Sequence, residues 1–291
     1  MTADRGLIRT VLRLHRTALV VWTVFVLAAV AGLVWLNTVT VDSVRAALDR
    51  CPDNAPGFCG ALWASLDYSE PTGWISTLML YSFWAVAAWA GGSLIGRELE
   101  SGTAQLAWTQ AVTPLRWLAV KLALPALLIV LGGAVFVPVY RWAWSANRDL
   151  MGDDWTFNDV FAAHGPAVVA YGLCALAVGT LAGLLLRRSL PALGVAVAVM
   201  VVLNQYLEIH RADFWPTKTA PGRKEMPNDW WQQGDGHYHP PSHFWPLHLV
   251  ETGILLTVTA VATAAAFWLL HRRTTGLPAP HAQQARPRAT V

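Results

Sequence analysis

"RELESGTAQLAWTQAVTPLRW", residues 97–117, decides how this chain is read. It carries Arg97, Glu98, Glu100 and Arg116 and is interrupted by Gly102, yet it lies between two windows without a single charge, 71–96 and 122–140. About 18 to 20 consecutive apolar residues cross ~30 Å of hydrocarbon as a helix. A soluble core helix rarely needs so long a stretch with no polar face. The two windows therefore predict membrane helices, and the charged insert is the turn that joins them at one surface.

Four more charge-free windows follow the same rule, at 17–41, 165–186, 189–207 and 252–270. The chain of 291 residues is 55% hydrophobic and only 13% charged, against roughly a quarter charged in soluble domains. The expected fold is an all-α integral membrane protein with six transmembrane helices, at about 17–37, 73–95, 115–138, 165–186, 190–207 and 250–270. Residues 1–273 then form one membrane domain, and the Pro- and Ala-rich segment 274–291 is expected to be a disordered tail. The first window is too long for a removable signal peptide and is expected to stay as an anchor.

Positive charge orients the bundle. With the N-terminus inside, the inner segments hold 13 of the 21 Lys and Arg residues and three acids, Asp4, Glu98 and Glu100. Both termini are then cytoplasmic. The net charge of +3 is the sum of a basic inner face and an acidic outer face, so it carries no implication of nucleic-acid binding. Before the first span, Arg5, Arg9, Arg13 and Arg16 share one helical side and Leu7, Ile8, Val11 and Leu14 the other. Residues 5–16 are expected to lie as an amphipathic helix in the membrane interface, arginines toward anionic lipid headgroups. A plain positive flank is the alternative.

Cys51 and Cys59 fall in the first outer loop, "CPDNAPGFC", where the prolines and glycine allow a turn. A disulfide is feasible in an oxidising compartment; two free thiols are the alternative. In the fourth span Ala175, Gly179 and Gly183 recur every four residues, a stripe of small residues that allows close helix packing.

Sites of chemistry find little support. Gly91 and Gly96 imitate a phosphate-binding loop, but Arg97 and Glu98 stand where Lys and Ser/Thr are required. No nucleotide site, catalytic group or bound cofactor is expected in this chain. His237, His239, His243 and His248 could suggest zinc, but Pro240 and Pro241 break any regular presentation, and a solvated loop is the expectation. The span centres lack ionisable residues: Lys121 is placed to snorkel to the inner surface, and Glu251 sits at the outer entrance of the sixth span. A proton-driven carrier would bury a carboxylate deeper.

Within the opening stretch, the second span runs on into "GRELE", Gly102 breaks it, and Thr103 is placed to cap a short helix through "AQLAWTQ". Thr113 and Pro114 then read as cap and first turn of the next span. The short helix is expected to expose Gln105, Trp108 and Gln110. Its residues alone fit both a lever for a cytoplasmic motor and a plain amphipathic turn.

"RELESGTAQLAWTQAVTPLRWLAVKLALP" resembles the corresponding inner loop of ABC transporter permeases of the type-2 exporter class, particularly actinobacterial ones, and the six-span plan is similar. "HFWPLHLVETGILL" resembles the segment where that family places short re-entrant helices. The resemblance implies that Thr103 to Gln110 form a coupling helix, with Glu98, Glu100, Gly102 and Arg116 around it and Arg187 with Arg188 as a smaller second contact. It implies a separate cytoplasmic ABC ATPase in two copies, carrying ATP and Mg, and a second permease copy or paralogue. The expected function is export of an apolar or amphipathic cargo, such as a lipid, lipopeptide or antibiotic, across the plasma membrane. A non-transporting sensor or immunity protein, and a membrane enzyme with an extracellular histidine metal site, remain the alternatives.

Overall fold

The computed structural model describes residues 12–51, 59–60, 62, 65–110, 112–219, 230–234 and 236–275. Among them, six helices are long and apolar enough to cross a membrane. We number the helices α1 (Arg16–Leu48), α2 (Leu66–Glu100), α3 (Thr103–Gln110), α4 (Pro114–Ala146), α5 (Asn158–Ala163), α6 (Ala167–Leu186), α7 (Ser189–Phe214) and α8 (Pro241–Thr274). α3 and α5 are short; the other six are the spans.

Most spans overrun their charge-free windows. α1 continues through Asp42 and Arg45, and α4 through Arg141. Backbone hydrogen bonds, once nucleated, propagate past the hydrocarbon edge wherever the following residues tolerate a helix. α1 and α2 contain π-helical segments at Leu36–Thr40 and Ala90–Gly96. α8 begins with a 3₁₀ turn, Pro241–His243, and then runs unbroken from Phe244. The re-entrant helices expected in that segment are therefore replaced by the first turns of one long helix.

α6 is the central helix, buried along most of its length, with α2, α7 and α8 around it. It packs directly across the π-helical part of α2. A Cβ on Gly179 would lie 2.7 Å from the Ala87 carbonyl oxygen, and one on Gly183 2.8 Å from Ile95 Cβ. Ala175 is buried in the same cluster. α1 and α4 pair beside this centre through Val26, Leu33, Phe136 and Tyr140. The exposed faces of α1, α4, α7 and α8 are rich in Val and Leu, as lipid contact requires.

The charged segments collect at the two ends of the bundle. One end joins the start of α1, α3 and its flanks, and the α6–α7 turn. The other holds the Cys51–Cys59 disulfide, which is formed, together with α5 and a small antiparallel sheet. Its strands, β1 (Lys218–Thr219), β2 (Trp231–Gly234) and β3 (His237–His239), lie in the order β1-β3-β2. Cys174 is free and buried within α6.

Two sequence expectations lie largely outside the described residues. Of the interfacial helix 5–16, only 12–16 are described: 12–14 as helix, His15 as a turn, and Arg16 as the first residue of α1. Of the tail 274–291, Thr274 and Thr275 close α8 and the rest is not described.

Candidate functional site

The stretch 97–117 forms a surface element clamped at both ends. α2 ends at Glu100, and Gly102 turns the chain with φ +76°, a left-handed conformation that costs an L side chain roughly 1–2 kcal/mol. The Gly102 carbonyl accepts from the Leu106 amide, and α3 starts there. Thr103 is not the cap expected of it: it is the first helical residue, and its hydroxyl donates back to the Glu98 carbonyl at 3.3 Å. Thr113 does cap α4, accepting from the Arg116 amide at 3.4 Å, with Pro114 in the first turn.

Beneath α3 lies a buried ionic anchor. The Lys121 ammonium is bonded to a Glu98 carboxylate oxygen, to the Leu94 carbonyl at 2.9 Å and to His15 Nε2 at 3.2 Å. A lysine has three donors and no acceptor, so all three are used and His15 must accept. Glu98 also accepts from Trp117 Nε1 at 3.2 Å. Lys121 therefore does not snorkel; its side chain is 2% exposed. The helix geometry explains why: Glu98 lies at the end of α2 facing the first turns of α4, so the nearest charge partner is inward.

His15 is held neutral. Its burial, with the Lys121 charge beside it, lowers its pKa from 6.5 to about 4. A depressed histidine pKa means that protonation opposes the folded state. The stability His15 supports is complete above about pH 6.5 and is lost as pH falls toward 4. The Tm of purified protein should drop across that window, and His15→Gln, which still offers Lys121 an acceptor, should flatten the drop.

Trp108 is also turned inward, contrary to the exposed position expected for it. Its ring meets Trp117 edge-on at 5.6 Å, and Ala104 is fully buried beside it. The outward face of α3 instead presents Thr103, Gln105, Leu106 and Thr109. Leu106 is 59% exposed, an apolar residue on a polar surface that the linear sequence did not single out. Gln110 ends the helix. Arg97 and Arg116 are exposed at the flanks.

Glu100 ties this element to the α6–α7 turn. Its carboxylate accepts from the Ser189 amide at 2.9 Å and the Ser189 hydroxyl at 2.6 Å. It thus satisfies orphan donors at the N-terminus of α7, where negative charge is favoured. Arg187 adopts φ +54° to make the tight turn, Arg188 follows it, and both are exposed. The Arg273 guanidinium donates to the Leu184 carbonyl at the end of α6. One end of the bundle thus brings together Glu98, Glu100, Gly102, Thr103, Gln105, Arg116, Arg187 and Arg188. Replacing Gly102 with proline, whose φ is locked near −65°, should displace α3 while leaving the spans inserted; limited proteolysis near 102 should accelerate severalfold over the native chain.

The opposite end holds a second polar cluster. Arg211 and Glu251 form an ion pair at 2.7 Å with side chains 2% and 0% exposed. Tyr171 donates to Glu251 at 2.9 Å, and Arg211 donates to Asn158 at 2.6 Å. Glu251 therefore lies inside the bundle, not simply at an entrance. Of the histidines expected in a solvated loop, only His237 is exposed. His239, His243 and His248 are buried: His239 on β3 meets His243 in the first turn of α8, and His248 packs against Phe161 of α5 and Gly165. His239 Nε2 donates to the Ala212 carbonyl at 3.0 Å, which leaves its Nδ1 to accept from His243 at 3.0 Å. His248 accepts from the Ala167 amide at 3.1 Å and so caps α6. These roles are structural. Among the described residues, no three His, Cys, Asp or Glu side chains are placed to hold a metal ion.

Five spans packed around a sixth, buried small-residue helix, with a short clamped surface helix between the second and third, define a multi-pass membrane bundle. The family described as ABC-2 membrane transporter related matches residues 23–211, and the chain belongs to that family. Neither a curated protein nor a solved structure matches the chain. The matched residues run from within α1 to the last turn of α7 and include the whole 97–117 element. This family of ABC permeases supplies the membrane part of a transporter, generally without enzymatic activity, and usually works with a cytoplasmic ABC ATPase.

Proposed function

We propose that this chain is the permease subunit of an ATP-driven exporter of the plasma membrane, and that α3 is the surface a separate ATPase pushes. The observation that supports this reading is mechanical. α3 is joined to α2 through a left-handed glycine and to α4 through a capped turn, and it is seated on the Glu98–Lys121 anchor. A push on Gln105, Leu106 and Thr109 is thereby passed to two spans at once. Glu100 relays it to α7 through Ser189, and Arg187 and Arg188 offer a second, basic contact beside the first. A motor biases such a bundle only through contacts that differ between its two states.

In this reading α3 and both termini face the cytoplasm. Two permeases, identical or paralogous, assemble with two ATPase copies that carry ATP and Mg. The cargo is apolar or amphipathic, in keeping with uncharged span surfaces and 16 tryptophans. Purification of the tagged chain in mild detergent tests the reading. An ATPase that co-purifies in equal amount, with ATP turnover, supports it. A permease isolated alone from cells expressing its neighbouring genes counts against it and brings the sensor and enzyme alternatives forward.

A further inference from the structure

Just before the Glu98 anchor, the stretch Ala90–Gly96 of α2 is wound as a π-helix. The Arg97 amide closes it by donating to the Gly92 carbonyl, five residues back. A π turn holds a surplus residue relative to an α-helix of the same length, and such turns are rare and concentrated at functional positions. Glycines at 91, 92 and 96 make this one possible. A Cβ on Gly91 would lie 2.8 Å from the Ala192 carbonyl oxygen of α7. One on Gly96 would lie 3.0 Å from Ser189 Cα and 2.5 Å from the Gly91 carbonyl oxygen. The segment is thus wedged against the start of α7 without side-chain bulk. Glycine also weakens a helix interior, so propensity holds this segment in neither winding.

The contacts that hold it come from a neighbouring span. Lys121 of α4 bonds the Leu94 carbonyl, inside the segment, at 2.9 Å and the Glu98 carboxylate just beyond it. It therefore staples across the junction between the π and α windings. An α-helix turns about 100° and rises about 1.5 Å per residue. Rewinding the segment as α-helix would turn everything from Arg97 onward by roughly one residue in the helix's own sense. Arg97 would then take the angular place of Glu98 and face the Lys121 ammonium. One winding sets opposite charges together, and the other sets like charges together. We propose that Ala90–Gly96 is a register switch with two windings, and that Lys121 selects the π winding by facing Glu98 instead of Arg97. Switching would swing Gly102 and α3 with the end of α2. Its use as the step that a push on α3 drives rests on the proposed transport role. The two windings themselves do not, and the purified chain without any ATPase tests them.

The experiment measures distances between spin labels on the full chain. Cys174 is buried and Cys51 is paired with Cys59, so only introduced cysteines take the label. The reporting pair is Ser101→Cys with Val261→Cys on α8, and the control pair is Leu78→Cys with Val261→Cys; all three positions are exposed. A side chain at the rim of a helix roughly 10–12 Å across moves about 8 Å when turned about 100°. Lys121→Glu, which repels Glu98 and attracts Arg97, should displace the reporting distance by several ångström, to about 8 Å at most, and leave the control unmoved. Adding Glu98→Arg should restore the native distance. Deleting Ser93, the exposed residue of the segment, removes the surplus residue and should abolish the response to Lys121→Glu. An unchanged reporting distance in Lys121→Glu would overturn the proposal. So would a displacement that survives deletion of Ser93, or one shared equally by the control pair, since α2 would then tilt as a rigid rod. Hydrogen exchange of the native chain reads the same switch without any destabilising variant. Amides 92–98 should exchange at least tenfold faster than amides 80–88, because interchange of windings opens their hydrogen bonds; equal rates would also overturn it.

Discussion

Glu251→Ala is expected to lower stability by about 3–5 kcal/mol, the range seen when one member of a buried ion pair is removed. Arg211 would be left charged, 2% exposed and without its carboxylate. Tyr171 would lose its acceptor at the same time. The three residues lie on α6, α7 and α8, so the loss loosens three elements together. Denaturant unfolding of the purified protein should show the drop, with aggregation during expression as its cellular sign. The double variant Arg211→Met/Glu251→Leu should recover much of the loss, because an apolar pair leaves no buried charge. A single variant as stable as the native protein would show that this pair is not closed in the membrane.

Glu98→Ala carries the second large effect, also about 3–5 kcal/mol by the same mechanism. It strands the Lys121 ammonium beneath α3 and removes the acceptor of Trp117. Its consequences differ from those of Glu251→Ala because the site differs. Loss of the Glu98 anchor should free α3 from its seat, so that any ATPase turnover ceases to depend on the permease. Lys121→Met in the Glu98→Leu background should restore stability but not coupling, because an apolar contact has no fixed hydrogen-bond geometry to hold the lever. Equal loss and equal recovery of both properties would mean the anchor is structural only.

Six spans were legible from 97–117 and the uncharged windows because the bilayer forbids unpaired charge over ~30 Å. The break at Gly102 and the cap at Thr113 were legible for a related reason: turn chemistry is local, and the residue types name the backbone they need. Helix ends were not legible at Asp42, Arg45 or Arg141, since a helix may continue into the headgroup region with polar side chains. Pairings between distant positions were hidden as well. Lys121 and Glu98 stand 23 residues apart, and nothing in either neighbourhood says that α4 will face the end of α2 there. Trp108 read as exposed because its partner, Trp117, lies on the next helix. His239, His243 and His248 read as solvated because their burial arises only between distant segments, β3 with the first turn of α8 and α8 with α5 and the start of α6. Leu106 was overlooked for the opposite reason, as an ordinary apolar residue whose exposure only the folded helix reveals.

The inward placement of Trp108 changes how the lever is tested. Truncating it would disturb the seat of α3 as well as any contact surface, so a loss of coupling would be ambiguous. Leu106 is outward, 59% exposed, and makes no part of the anchor. Leu106→Asp places a charge on the face assigned to the ATPase and leaves the fold intact. The measurement is ATPase co-purified with Leu106→Asp, scored against the native chain by amount and by ATP turnover at matched Tm. Retained ATPase is expected to fall at least tenfold, the change that corresponds to about 1.4 kcal/mol of lost binding. Undiminished retention and turnover would contradict α3 as the coupling surface.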